Sequence, residues 1–222
     1  MPSKRYPNPN PNPNPNPNPN PTPLYFAIEK GMAEVVSKII LEHGVSVNDH
    51  TANETSGTRP LHLALLHNQS HLVLLLLRLG ADVNLKDSEK NCTAFLMAVI
   101  LKDEWSASKL LASGADPREY TSEGRTAIYI AAEKDSVSMI RILLDKGGIN
   151  VNEPCTIENH RGTPLHIAAL FNNPHAVLEL LEHGANARWV MLGFGCLLRI
   201  LCCSKLSDTT LCDHILPSYP YP

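Results

Sequence analysis

The stretch "TPLHIAALFNNPHAVLELLEHGANA", residues 163–187, decides the fold because the chain repeats it. Four earlier segments have the same order of residue types: "TPLYFAIEKG" from Thr22, "RPLHLALLHN" from Arg59, "TAFLMAVILK" from Thr93 and "TAIYIAAEKD" from Thr126. Their starts lie 37, 34, 33 and 37 residues apart along the chain. Self-similarity at such a period indicates a repeat architecture rather than one local chemical site.

Each copy carries the signals of two helices. A threonine can cap the free amides of a first helix, and proline at the first helical position loses no hydrogen bond. A second helix is predicted because apolar residues recur at i, i+3 and i+4 before a glycine that ends it. The predicted closing glycines are Gly44, Gly80, Gly114, Gly147 and Gly184.

The predicted apolar stripe is Val73, Leu76, Leu77; Ala107, Leu110, Leu111; Ile140, Leu143, Leu144; and Val177, Leu180, Leu181. The first copy departs from it with Ser37, Ile40 and Leu41, and we expect the neighbouring Val36 to fill the place of Ser37.

This pattern resembles the ankyrin repeat, which has a period of about 33 residues and a T-P-L-H-x-A signature. The resemblance implies an all-α ankyrin-repeat solenoid over residues 22–190, with repeats at about 22–58, 59–92, 93–125, 126–162 and 163–190. It also implies that His62 and His166 hydrogen-bond between neighbouring units. Tyr25 and Tyr129 stand in the same place, so a catalytic base is not expected there.

The ankyrin resemblance further implies that partners lie in a concave groove lined by the first helices and the loop tips. The two residues before each turn are expected to face it, and the predicted partner-binding set among them is Leu66, His67, Ile100, Leu101, Glu133, Lys134, Leu170 and Phe171. Glu29 and Lys30 hold the same place in the first repeat. Apolar residues at neighbouring places predict an apolar peptide groove with polar interruptions; the alternative is that they pack under long loops.

The long loops after the second helices, here called fingers, supply a predicted polar rim. Its predicted partner-binding residues are Asp49, His50, Lys86, Asp87, Tyr120 and Arg161. We expect the insertions that stretch two of the periods to 37 residues to fall in these fingers, where extra length costs little.

Composition excludes several classes of function. The formal net charge of −3 over 222 residues does not suggest electrostatic capture of nucleic acid. No apolar run reaches the roughly 18 residues of a membrane span, and the first ten residues lack the apolar region of a secretory signal. We expect a monomer in the cytoplasm or nucleus, with its thiols reduced.

Motifs of the common catalytic sites are missing from the sequence. It holds no G-x-x-x-x-G-K-[ST], no G-x-S-x-G and no H-E-x-x-H. We therefore expect no catalytic residues, no cofactor and no enzyme activity.

Both ends depart from the repeat. Residues 1–21 contain a strict Pro-Asn alternation from Pro7 to Pro21, which excludes helix and sheet ladders and predicts a disordered spacer. The tail, residues 191–222, is apolar and rich in cysteine. Three explanations stay open for it: a degenerate sixth repeat, a box similar to the SOCS box, or a frameshifted end without function.

The resemblance to the SOCS box rests on L-x-x-x-C-x-x-x-[AILV], matched by Leu198, Cys202 and Leu206, with Leu201 on the same predicted helical face. It implies that these four residues bind elongin B/C within a cullin-RING ubiquitin ligase. A metal site is not expected, because Cys202, Cys203, Cys212 and His214 lack the C-x2–4-C spacing of zinc knuckles.

The sequence therefore leaves two hypotheses for the function of the chain: a protein-binding scaffold, or an adaptor that presents a substrate to the ligase.

Overall fold

The computed structural model describes residues 22–50, 58–87, 91–157 and 160–186, with only the backbone at residues 155–161. The Pro-Asn segment and the tail predicted above lie outside the described residues. The described part contains ten α-helices, which alternate between a first-helix row and a second-helix row. The first-helix row is α1 Pro23–Glu29, α3 Pro60–Leu66, α5 Ala94–Leu101, α7 Ala127–Glu133 and α9 Pro164–Leu170. The second-helix row is α2 Ala33–Leu41, α4 Ser70–Arg78, α6 Glu104–Ala112, α8 Val137–Arg141 with a π-helical turn at Ile142–Lys146, and α10 Pro174–Glu182.

The helices stack in chain order. Each first helix packs against the next first helix, from α1 to α9, and each second helix packs against the next second helix in the same way. A continuous apolar core runs between the two rows. The predicted all-α repeat solenoid is confirmed by this stacking. The helix pairs stack because no pair could bury its apolar face without its neighbours.

The first helices begin at the predicted caps. The hydroxyl oxygens of Thr22, Thr93 and Thr126 accept hydrogen bonds from backbone amides three residues further on, at 3.2–3.4 Å. Thr163 caps α9 differently, through a capping box with His166. Arg59 makes no such side-chain cap for α3.

The predicted stripe supplies the core of the second-helix row. Val73, Leu76, Leu110 and Leu143 are buried, and the third stripe residue of the last four repeats packs against the core while partly exposed. In the first repeat Val36 is fully buried and Leu41 is exposed. Val36 therefore fills the place of Ser37, as predicted.

The end of the fourth second helix corrects the sequence analysis. Gly147 was predicted to close this helix, but its φ is −78° and the left-handed residue is Gly148, at φ 61°. Gly147 is needed for another reason: a Cβ there would lie 2.6 Å from the backbone oxygen of Leu143. The π-helical turn causes this crowding because it fits one extra residue into the last turn.

That extra residue also corrects the placement of the insertions. The left-handed glycine comes 22 residues after the cap in the first and fourth repeats (Thr22 to Gly44, Thr126 to Gly148), but 21 residues after it in the second, at Gly80. One inserted residue therefore lies at the end of the second helix, and only the rest lies in the finger.

The fingers are tied together across repeats by asparagine side chains. Asn48, Asn84 and Asn152 each accept a hydrogen bond from the backbone amide of the next finger, at 2.8–2.9 Å. We call this series the asparagine ladder. The fourth finger adds a two-stranded antiparallel hairpin, β1 Cys155–Ile157 and β2 His160–Gly162.

Candidate partner-binding surface

The turn between the two helices of each repeat fixes which residues face the predicted groove. One residue in each turn has left-handed backbone angles: Gly31, Asn68, Lys102, Asp135 and Asn172. The two residues before it lie at the end of the first helix. We call each such pair a groove station.

Three of the five groove stations expose large apolar side chains. Leu66 and Leu101 are each 44% exposed, Leu170 is 40% exposed and Phe171 is 43% exposed. They belong to the second, third and fifth repeats, so they lie at equivalent places along the first-helix row. Ile100 differs from the prediction because it is only partly exposed and packs against the core.

The remaining stations are charged. Glu133 forms an ion pair with Arg125 at 3.2 Å. Arg125 also forms an ion pair with Glu123, at 2.7 Å. Glu29 and Lys30 pair with each other in the first repeat. His67 and Lys134 are exposed. In chain order the five stations are therefore charged, apolar, apolar, charged and apolar.

Two lysines cross the boundary between the third and fourth repeats. The Lys102 ammonium donates to the backbone oxygen of Lys134 at 2.7 Å, and the Lys134 ammonium donates to that of Ile100 at 3.0 Å. This exchange holds both ammonium groups next to the groove stations of α5 and α7. Lys134 was predicted from the sequence, whereas Lys102 was not, because only the structure shows that it lies in a left-handed turn.

Finger residues contribute a second polar cluster. The Lys86 ammonium lies 2.7 Å from a Glu119 carboxylate oxygen and 5.0 Å from the centre of the Tyr120 ring. Tyr120 is exposed, as are Asp49 and His50 in the first finger. Arg161 lies in β2, where the structure describes the backbone only.

Asp87 is a correction to the predicted rim. It is buried, and its carboxylate accepts a hydrogen bond from the backbone amide of Cys92 at 2.9 Å. Its own backbone amide donates to the Cys92 oxygen. Asp87 therefore closes the base of its finger instead of facing a partner.

His62 lies beside this pair. The Nε2–H group of His62 donates a hydrogen bond to the backbone oxygen of Cys92, at 2.9 Å. Burial lowers the pKa of His62, because it disfavours the charged form of the ring. Ligand atoms of His62, Asp87 and Cys92 lie within 4.8 Å of one another, a set that could hold a metal ion. This set could not be predicted from the sequence, because His62 and Cys92 are 30 residues apart. The hydrogen bonds already explain the arrangement as structural.

The two signature histidines behave differently. His62 bonds to Cys92, the last residue of its own repeat (59–92), and the Nδ1 of His166 accepts from the amide of Thr163 within its own repeat, at 3.1 Å. Neither of these two bonds joins neighbouring units, whereas the resemblance had implied that both histidines would do so. In the second repeat Arg59 replaces that threonine, and His62 Nδ1 has no hydrogen-bond partner among the described residues. Instead, the guanidinium of Arg59 donates to the backbone oxygens of Asn48 and Lys86, so it ties two fingers together.

Leu198, Leu201, Cys202 and Leu206, the predicted elongin-binding residues, lie outside the described residues. Within the described ranges, no helix is both long and apolar enough to cross a membrane.

Comparison with known proteins agrees with this geometry. The family model "Ankyrin repeats (3 copies)" matches residues 7–87 and 95–188. The chain is 31% identical over 156 residues to a mouse B-cell lymphoma 3 protein homolog, covering 66% of this chain and 34% of that protein. It is also 31% identical over 163 residues to a putative palmitoyltransferase ZDHHC13 from Danio rerio, covering 73% of this chain and 24% of that protein.

Among solved structures, the human ASB11 ankyrin repeat domain is similar with a TM-score of 0.60 and 27% identity, covering 74% of this chain and 70% of that chain. The present chain thus spans about a third or less of the two curated relatives named above.

Proposed function

Because the chain belongs to the ankyrin repeat family, we propose that it is a non-catalytic scaffold that binds a partner protein through the groove stations and the finger tips. The family's repeats mediate protein binding, and its fold is typically without enzyme activity. The proposal adds which surface of this chain contacts the partner and which residues make the contact.

One observation carries the proposal: large apolar side chains are exposed at the groove stations of three repeats, with Leu66 and Leu170 in the first place of their pair and Leu101 in the second. Leu66, Leu101 and Leu170 each end a first helix, in three different repeats, with 40–44% of the residue exposed. Water contacts these side chains unless a partner covers them, and covering apolar surface is the main driving force of association. A periodic series along one row therefore supports a binding surface for an elongated partner.

The direct test compares two pairs of substitutions on the folded chain. Leu101→Asp with Leu170→Asp places charges at two groove stations. Leu41→Asp with Val45→Asp places the same charges on exposed apolar residues of the first repeat, away from the stations. We expect the first pair to abolish capture of a partner from lysate and the second to preserve it.

Hydrogen exchange on the captured complex then locates the contact. We expect slower exchange in the amides of α5, α7 and α9 and in the finger tips. Protection restricted to the second-helix row would contradict the proposed surface. Circular dichroism of each variant verifies that the repeats remain folded.

We also propose that the chain acts as a monomer in the cytoplasm or nucleus and binds neither nucleic acid nor a cofactor. The near-neutral charge supports the statement on nucleic acid, since such binding is dominated by neutralising phosphates. Light scattering after size exclusion measures the mass of the particle, and a value of twice the monomer mass would contradict this part.

A second candidate is the adaptor function. The sequence match at Leu198, Leu201, Cys202 and Leu206 favours it. Purified elongin B/C is the appropriate probe, with Leu198→Pro and Cys202→Phe as variants. We expect the wild-type chain to bind elongin B/C and both variants to lose binding; a wild-type chain that does not bind would leave only the scaffold function.

A further inference from the structure

The ammonium groups of Lys102 and Lys134 lie between the apolar stations of the groove. Their hydrogen bonds run in opposite directions between α5 and α7, so both groups are held at the boundary between the third and fourth repeats. Leu66 and Leu101 expose apolar surface before this boundary, and Leu170 and Phe171 expose it beyond. The order along the row is therefore apolar, basic, apolar.

Within the described part of the chain, no carboxylate forms an ion pair with the ammonium group of Lys102 or of Lys134. The carboxylate of the adjacent station, on Glu133, pairs with Arg125 instead. An ammonium offers three donors, and one from each lysine goes to a backbone oxygen. Both ammonium groups therefore keep donors for a ligand.

The backbone of Lys102 is an independent sign that its side chain has a role. At the same position the other repeats have Gly31, Asn68, Asp135 and Asn172, residue types that tolerate left-handed angles. Lys102 adopts φ 60° without that tolerance. Strain of this kind persists where a side chain serves binding more often than elsewhere.

The stacking of the helices sets the length of a ligand that spans both apolar regions. Packed helices lie about 8–10 Å apart, so the end of α5 and the end of α9, two helices further, are separated by about 16–20 Å. An extended chain covers about 3.3 Å per residue. Two side chains that reach both regions are then about five or six residues apart.

We propose that the groove binds an extended, acidic segment of a partner protein, with two apolar residues about five or six positions apart and Asp or Glu between them. The first apolar residue contacts Leu66 and Leu101, the carboxylates pair with Lys102 and Lys134, and the second apolar residue contacts Leu170 and Phe171. This rests on the function proposed above and specifies the chemistry of the partner.

A selection from a library of random 16-residue peptides displayed on phage, with the full chain as bait, tests the proposal. We expect the wild-type chain to enrich peptides with an apolar residue, an acidic stretch and a second apolar residue at that spacing. The double variant Lys102→Glu with Lys134→Glu should instead enrich peptides whose central residues are Lys or Arg.

A matched control carries the same change of charge elsewhere. Lys38→Glu with Lys146→Glu alters two exposed lysines of the second-helix row, and it should select the same acidic peptides as the wild type. A selected peptide made synthetically should bind the groove double variant several-fold to about tenfold more weakly than the control, as expected for two exposed ion pairs.

The outcomes separate the two levels of the proposal. Binders that are lost with Leu101→Asp and Leu170→Asp but show no acidic preference would overturn the inference and leave the scaffold function intact. Binders that ignore both pairs of groove substitutions would overturn the groove itself. A control variant that changes the selected sequences would also overturn the inference, because overall charge and not the two lysines would then decide.

Discussion

At the scale of single residues, Lys102 sets the stability of the chain against the binding role proposed above for its side chain. Its left-handed backbone is costly for a lysine, by about 1 kcal/mol relative to glycine or asparagine. We expect Lys102→Asn to raise the thermal midpoint by about 2–4 °C and to weaken binding of acidic peptides. Thermal melting and peptide titration of the same preparation measure both effects.

The control for this prediction is Lys134→Asn. Lys134 ends its helix at φ −93°, so the substitution relieves no strain and should not raise the midpoint. If Lys102→Asn melts at a lower temperature than the wild type, the backbone argument is wrong.

Glu179 gives a prediction for pH. Arg141 donates two hydrogen bonds to this carboxylate, at 2.6 and 2.7 Å, and they lower the pKa of Glu179 below the ordinary value of 4.5. A carboxylate with a lowered pKa stabilises the folded state above its unfolded pKa, and this contribution is lost as the pH falls through the folded pKa.

We therefore expect Glu179→Gln to lower the thermal midpoint by a few degrees at pH 7. The difference from the wild type should shrink as the pH is lowered below about 4.5, because the unfolded chain then takes up a proton at Glu179, and the folded chain does so only at a still lower pH. Melting curves between pH 7 and pH 3 measure this. A difference that stays constant over that range would show that the charge of Glu179 is not responsible.

At the scale of structural elements, the asparagine ladder couples each finger to the next. Asn84 accepts from the amide of Asp116 and donates to the oxygen of Gly114. Arg118 replaces asparagine at this position in the third finger. Its guanidinium donates to the oxygen of Gly148 at 3.2 Å but cannot accept a hydrogen bond.

Opposite effects are expected for two substitutions in the ladder. Asn84→Ala should lower the free energy of unfolding by about 0.5–1.5 kcal/mol, and Arg118→Asn should raise it by a similar amount, since it supplies the missing acceptor. Urea titrations followed by circular dichroism measure both. A loss of stability in Arg118→Asn would mean that the arginine contributes something that the ladder does not explain.

At the scale of the whole molecule, the place of a repeat in the stack decides what its residues contribute. Val35 is 41% exposed in the first repeat, whereas Leu72 at the equivalent position of the second repeat is fully buried. Phe26 and Leu63 show the same contrast. The first repeat thus exposes residues that each later repeat buries against its predecessor.

This contrast predicts unequal costs for similar substitutions. Leu72→Ala should destabilise the chain by about 2–5 kcal/mol, and Val35→Ala by less than about 0.5 kcal/mol. Val36→Ala, next to Val35 and fully buried, is the control and should cost about 2 kcal/mol. Equal costs for Val35→Ala and Val36→Ala would mean that the exposed face is covered in solution.

The sequence by itself determined the helix pairs, their caps, the apolar stripe and the order of the repeats. These features depend on contacts within a few residues, which is why Thr22, Thr93 and Thr126 and the stripe at Val73 and Leu76 could be predicted from spacing alone. The positions of the groove stations followed for the same reason.

Only the tertiary structure decided which residues contact each other between neighbouring repeats. The burial of Asp87, the displacement of the closing glycine from Gly147 to Gly148, and the crossed lysines all depend on residues brought together by stacking. Stacking places residues about 30 positions apart in contact, and no local pattern encodes whether a carboxylate at that distance turns inward to an amide or outward to water. The sequence therefore specified the repeat unit, and the packing of one unit on the next specified its surface.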